Sequence, residues 1–232
     1  MILCIETATD QSSVAIFNDG ELIGNTELHL KKSHSAYLTV MINDLLKNSG
    51  LERSDLAAVA VSIGPGSYTG LRIGLSTAKG ICYSLSIPLL SISTLDIMFE
   101  QVITYFQNVH KDEFLFCPMI DARRMEVYTA LYNTKKQRLL SPQAMVIDGA
   151  SFKDFTEHKT CALFGNGASK CLEVLPKDDF ILVPEVYPSA KYMGALAQEL
   201  YNKREFADLA YIEPLYVKAY QAKLPKKNKL LG

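Results

Sequence analysis

No uninterrupted apolar run in these 232 residues approaches the roughly 18–20 needed to cross a bilayer. The N-terminus also lacks a basic segment followed by an apolar stretch and a small-residue cleavage site. The expectation is a cytoplasmic protein with no membrane partner. Cysteine is scarce and badly spaced for bridging: Cys4, Cys82, Cys117, Cys161 and Cys171 are odd in number and form no C-x-x-C. Most lie inside apolar runs, so buried free thiols are expected in place of a disulfide scaffold. The histidines His29, His34, His110 and His158 form neither H-x-x-x-H nor H-E-x-x-H, and no G-x-S-x-G elbow presents a serine. The residues therefore suggest no metal ligand and no catalytic nucleophile.

Net charge is nearly absent too, at −1, which on its face argues against a nucleic-acid partner. The balance hides two unlike parts. The last fifteen residues carry Lys218, Lys223, Lys226, Lys227 and Lys229 and no acid, a +5 tail on a body of −6.

What is present is a chain that is 48% hydrophobic and long enough for two domains, each with its own core. Strands are expected over 1–5, 12–18 and 21–28, with Asp19-Gly20 as a hairpin turn. A helix over 33–48 closes at Ser49-Gly50. A strand over 57–63, a glycine-rich turn over 64–70, a helix over 71–85, a strand over 89–92 and a helix over 95–106 follow. The order βββαβαβα predicts a mixed sheet covered by helices. The polar stretch 107–113 marks a boundary between domains 1–106 and 107–232. In the second half, strands are expected over 114–119, 126–132, 144–147 and 161–164, and helices over 152–157, 168–175 and 189–204. The two β-rich starts hint at a duplication.

Two turns invite a nucleotide reading. Gly64-Pro-Gly-Ser-Tyr-Thr-Gly70 joins a buried strand to a helix, where free N–H groups attract anions. Its spacing misses both the Walker loop and the dinucleotide fingerprint, which favours a tight turn that needs glycine dihedrals. In the first turn, Glu6 and Thr7 could hold a hydrated Mg²⁺ near phosphates, or form only a solvated hairpin. Gly165 and Gly167, opening a helix, could approach an adenosine. These four residues are the cofactor candidates.

The helices say more. On a wheel of 100° per residue the apolar positions of 33–48 spread over roughly 240°, far wider than one core requires. The next helix sets Leu71, Gly74, Leu75, Ala78, Ile81 and Cys82 on one arc, and Ile73, Thr77, Gly80 and Ser84 on a second, small-residue face. Either both helices are sandwiched in a large domain, or one face meets a partner.

Ile5-Glu-Thr-Ala-Thr9, Gly64-Pro-Gly-Ser-Tyr-Thr-Gly-Leu-Arg-Ile-Gly74, Ile92-Ser-Thr-Leu95, Ile120-Asp-Ala-Arg-Arg-Met-Glu-Val-Tyr128 and Glu213-Pro-Leu-Tyr-Val217, in that order, resemble successive blocks of the TsaB (YeaZ) family. The resemblance runs the length of the chain. It implies an α/β fold of the actin-like (ASKHA) type, with two mixed-sheet subdomains, flanking helices and a chain end that can pack back on the first. It also implies a noncatalytic subunit supporting TsaD, which transfers a threonylcarbamoyl group to N6 of adenosine 37 in tRNAs reading ANN codons. The transferase's metal-binding histidines align near Thr94 and Met98, neither of which replaces imidazole. TsaD as heterodimer partner, a second copy when TsaD is absent, and tRNA as substrate of the complex are implied. TsaE as a further partner and a nucleotide held between subunits stay open, with no cofactor expected in the isolated chain. The resemblance places the partner on the two helices, through Tyr37, Leu38, Met41, Leu45, Leu71, Gly74, Leu75, Ala78 and Cys82. Two other classes remain: an ATP-dependent small-molecule kinase or ATPase of the same fold, and a glycoprotease-like peptidase.

Overall fold

The computed structural model describes residues 1–29, 34–106 and 114–217. The polar stretch 107–113, with His110, and the basic tail 218–232 lie outside the described residues. The first half runs β1 (Ile2–Glu6), β2 (Ser12–Asn18), β3 (Glu21–Leu28), α1 (His34–Asn48), β4 (Ala58–Gly64), α2 (Tyr68–Leu85), β5 (Leu89–Ser93) and α3 (Thr94–Ile103). The second half follows with β6 (Phe114–Asp121), β7 (Glu126–Asn133), β8 (Arg138–Val146), α4 (Lys153–Thr156), β9 (Thr160–Phe164), α5 (Ala168–Leu172), β10 (Phe180–Val183) and α6 (Gly194–Lys203).

The first sheet has the order β3-β2-β1-β4-β5 and the second β8-β7-β6-β9-β10, so one topology occurs twice. In each, the first three strands form an antiparallel meander and the remaining two join in parallel. The apolar run of β1 is continuous because both faces are covered. Leu3 and Ile5 pack beneath α1 and α2, while Ile2 and Cys4 pack beneath α6. α3 belongs to both halves. Its Ile97 joins the core of the first sheet, and Leu95, Met98, Phe99 and Val102 join that of the second. Asp96 of α3 accepts two hydrogen bonds from Arg138 of β8, at 2.6 and 2.7 Å. Phe99 stacks on Tyr132 at 4.4 Å.

Four boundaries differ from the sequence expectation. α2 starts three residues earlier, inside the glycine-rich segment, because Ser67 caps it by accepting from the Gly70 N–H at 3.3 Å. β8 extends back to Arg138, where the polar residues of an edge strand give little alternation. The short edge strand β10 was not expected at all. The long helix over 189–204 is instead a 3₁₀ turn, Ala190–Tyr192, followed by α6. All five cysteines are free and buried.

Candidate functional site

The first candidate lies where β1 ends. Glu6 and Thr7 are buried, not solvated. One carboxylate oxygen of Glu6 accepts from the Ala8 N–H, while Oε2 has no hydrogen-bond partner. Burial pushes the carboxyl up to about 7, against the opposing pull of the Ala8 N–H. The Thr7 hydroxyl donates to the Gly70 carbonyl at 2.8 Å. The Ser67 N–H donates to the Ala8 carbonyl at 2.6 Å. A Cβ on Gly66 would run into the Ala8 carbonyl, one on Gly70 into the Thr7 carbonyl and one on Gly74 into the Thr7 hydroxyl. The glycines thus let the start of α2 lie directly on the backbone of residues 7–8.

Gly165 and Gly167 have the same kind of explanation. A Cβ on Gly165, at φ +98°, would meet the Met119 carbonyl and the Met98 methyl, and one on Gly167 would meet Val127. Between them Asn166 Oδ1 accepts from the Asp121 N–H at 2.8 Å. Close packing of this turn on β6 is what the two glycines serve. Thr94 and Met98 are fully buried in the core around α3.

A cleft of about 910 Å³ opens between the two halves. Its walls include Asp10 from the first turn, Ser67 and Tyr68 from the start of α2, Arg123 and Arg124 from the β6–β7 turn, and Tyr216 from the returning segment. That segment is pinned by Leu215 N–H donating to Ile63 carbonyl at 2.7 Å. Tyr68 and Tyr216 stack with ring centroids 5.1 Å apart, and the Arg72 guanidinium sits 4.8 Å over Tyr68 while donating to the Tyr216 hydroxyl at 3.2 Å.

The expected partner face requires correction. Leu38, Met41, Leu45, Leu71, Gly74, Leu75, Ala78 and Cys82 are all buried within this chain, most of them in the core between α1, α2 and the first sheet. They face the sheet because that is where a helix covering it must put its longest apolar stripe. Tyr37 alone of the nine is exposed, with Val40 beside it. The outward side of α2 carries Thr77, Gly80 and Ser84 of the second stripe together with Ile81 of the first, and a groove of about 280 Å³ runs between them and Thr39 and Ile42 of α1. A Cβ on Gly80 would meet nothing within 4 Å. The wheel displayed both stripes, but periodicity carries no sign saying which one a sheet covers.

Two lobes that repeat one five-stranded topology, with helices on the sheet faces, define an α/β protein of the actin-like (ASKHA) class. The family model described as "TsaD: tRNA N6-adenosine threonylcarbamoyltransferase" matches residues 22–156. The chain is 30% identical over 223 residues to the tRNA threonylcarbamoyladenosine biosynthesis protein TsaB of Buchnera aphidicola subsp. Baizongia pistaciae, covering 93% of this chain and 97% of that one. To TsaB of Bacillus subtilis it is 36% identical over 134 residues, 58% of this chain and 56% of that protein's length. The solved structure of YeaZ from Pseudomonas aeruginosa shares the fold, with a TM-score of 0.78 at 24% identity over 93% of this chain and 98% of that one. The chain belongs to the TsaB (YeaZ) family of tRNA threonylcarbamoyladenosine biosynthesis proteins. Among the described residues no helix is long and apolar enough to cross a membrane.

Proposed function

We propose that this chain is a noncatalytic subunit that supports a TsaD-type transferase in adding the threonylcarbamoyl group to N6 of adenosine 37 in tRNAs reading ANN codons. What supports this reading is the end-to-end likeness to a TsaB protein, 30% identical over 223 residues. Glu6 and Thr7 are buried beneath the start of α2, where Thr7 bonds to the Gly70 carbonyl. Neither is presented to a hydrated Mg²⁺, which disfavours the kinase or ATPase reading. The chain carries no cofactor of its own.

The partner sits on the outward faces of α1 and α2, over the groove that exposes Gly80. Small residues there let a helix of the partner approach closely, and Tyr37 and Val40 supply apolar area at its rim. A second copy takes the same face when TsaD is absent.

Gly80→Glu and Ser84→Glu place a charge in this groove without touching the core. Both variants should keep the wild-type melting temperature and bind purified TsaD about tenfold or more weakly, since one desolvated charge exceeds 1.4 kcal/mol. Titration calorimetry measures this, and wild-type affinity in both variants would remove the face from consideration. The wild-type chain alone should show no transferase activity on unmodified tRNA, which the added partner restores.

A further inference from the structure

The β6–β7 turn is built at a local cost that the lobe's own packing does not explain. Arg123 and Arg124 both adopt left-handed backbone, with φ of 72° and 51°. The Glu126 N–H donates to the Arg123 carbonyl, so Arg123 opens the turn and Arg124 is its first central residue; left-handed backbone is uncommon for any residue but glycine. Here the positions hold two arginines. The turn is braced so that they stay there. Lys170 donates to Asp121 and to the carbonyls of Arg124 and Glu126, Asp121 Oδ1 accepts from the Arg123 N–H at 3.0 Å, and Asn166 holds the Asp121 N–H. Among the described residues neither Arg123 nor Arg124 has an ion-pair or hydrogen-bond partner for its guanidinium, and both side chains are exposed on the cleft wall.

The other wall of the cleft supplies flat surfaces. Tyr68 and Tyr216 are each about 40% exposed, and Arg72 lies over the Tyr68 ring. The 18-residue helix α2, which begins there, contains Arg72 and Lys79 and no acid. Guanidinium groups opposite stacked aromatic rings are the pairing that holds a single nucleic-acid strand: cations track the backbone and rings receive bases. Asp10 and Glu126 also line the cleft and Asp121 is paired with Lys170, so the positive charge is confined to the rim around the two arginines.

We propose that the rim of the interlobe cleft binds an RNA strand, with Arg123 and Arg124 on consecutive backbone phosphates and a base against the Tyr68–Tyr216 pair. The choice of RNA over other phosphate polymers rests on the tRNA role proposed above.

The test is a titration of the full chain against an unmodified transcript of a tRNA reading ANN codons, followed by fluorescence anisotropy between about 50 and 200 mM salt. Arg123→Asn with Arg124→Gly puts residues that adopt left-handed backbone more readily at both positions, so the melting temperature should hold. Affinity at about 50 mM salt should fall about tenfold or more, and the log–log salt slope should flatten by about 1.5. Arg123→Gln with Arg124→Gln should do the same without the glycine. Tyr216→Ala should weaken binding about fivefold or more at every salt concentration. The control Lys153→Gln with Lys177→Gln removes equal charge elsewhere and should leave the slope unchanged. Absence of binding by the wild-type chain, or an unchanged slope in both arginine double variants, overturns the proposal. Competition by equimolar Mg²⁺–ATP reassigns the arginines to a free nucleotide and overturns it too. Affinity for TsaD should be the same in the arginine variants as in wild type, whereas Gly80→Glu should lose TsaD and keep the RNA, so the two proposals fail separately.

Discussion

Gly74→Leu is expected to destabilise the chain strongly, whereas Gly80→Leu, six residues further along the same helix, is expected to stabilise it slightly. At Gly74 the new side chain would enter the space of the Thr7 hydroxyl, beneath a helix already locked to β1 through Thr7, Ala8 and Ser67. Neither the strand nor the helix can retreat without breaking those bonds. Overpacking of this kind costs about 3 kcal/mol or more, against about 0.7 kcal/mol gained from helix propensity. In a chain of this length the melting temperature should drop by about 6–12 °C or more. At Gly80 nothing stands within 4 Å, so only the propensity gain remains, worth about 2 °C. Circular dichroism melts of the two variants measure the contrast. Similar melting temperatures would mean that α2 is not seated on Thr7. The contrast also separates two readings of Gly74. A partner-face residue would lose binding and keep its stability, and a core residue loses both.

Glu6→Gln should stabilise the fold above pH 7 and leave it unchanged near pH 4. Burial raises the folded-state carboxyl to about 7, above its ordinary value of 4.5. Below about pH 4.5 both folded and unfolded states hold the proton, and the group costs nothing. Between 4.5 and 7 the unfolded chain has released its proton while the folded chain keeps it. The folded state then binds more protons, so stability falls as pH rises through this window. Above about 7 the native carboxylate is ionised in its buried site and the full penalty persists, on the order of 3 kcal/mol. Glutamine keeps the acceptor for the Ala8 N–H and has no proton to lose. The difference in unfolding free energy between variant and wild type should therefore rise from near zero at pH 4.5 to a plateau above 7. Denaturant titrations at several pH values give that curve, in which the other carboxylates cancel. A flat difference would place Glu6 in contact with water.

Much of the architecture was legible because it is written in local patterns. The alternation of apolar runs with the Asp19-Gly20 turn, the Ser49-Gly50 helix end and the glycine-rich segment located most elements of the first half. β8 and β10 are edge strands, short or polar, with too little one-sided burial to impose a pattern. The break at Met193-Gly194 is set by contact with Phe17, a residue of β2 that no local window contains.

The candidate site divides the same way. From the residues alone it followed that the zinc-hydrolase, Walker and serine-elbow signatures are missing and that α2 carries two distinct stripes. The ordered blocks, through their resemblance, led to the family. Which stripe of α2 faces outward was decided only by the fold, because a helix wheel fixes angles between residues but not the direction of the sheet. Glu6 and Thr7 read equally well as a metal site or a solvated hairpin until the fold buried both beneath the start of α2. The arginines at 123 and 124 were visible as part of a motif. Only the left-handed turn that holds them at the cleft, opposite rings at positions 68 and 216 that are distant from them in the chain, gives them a common target.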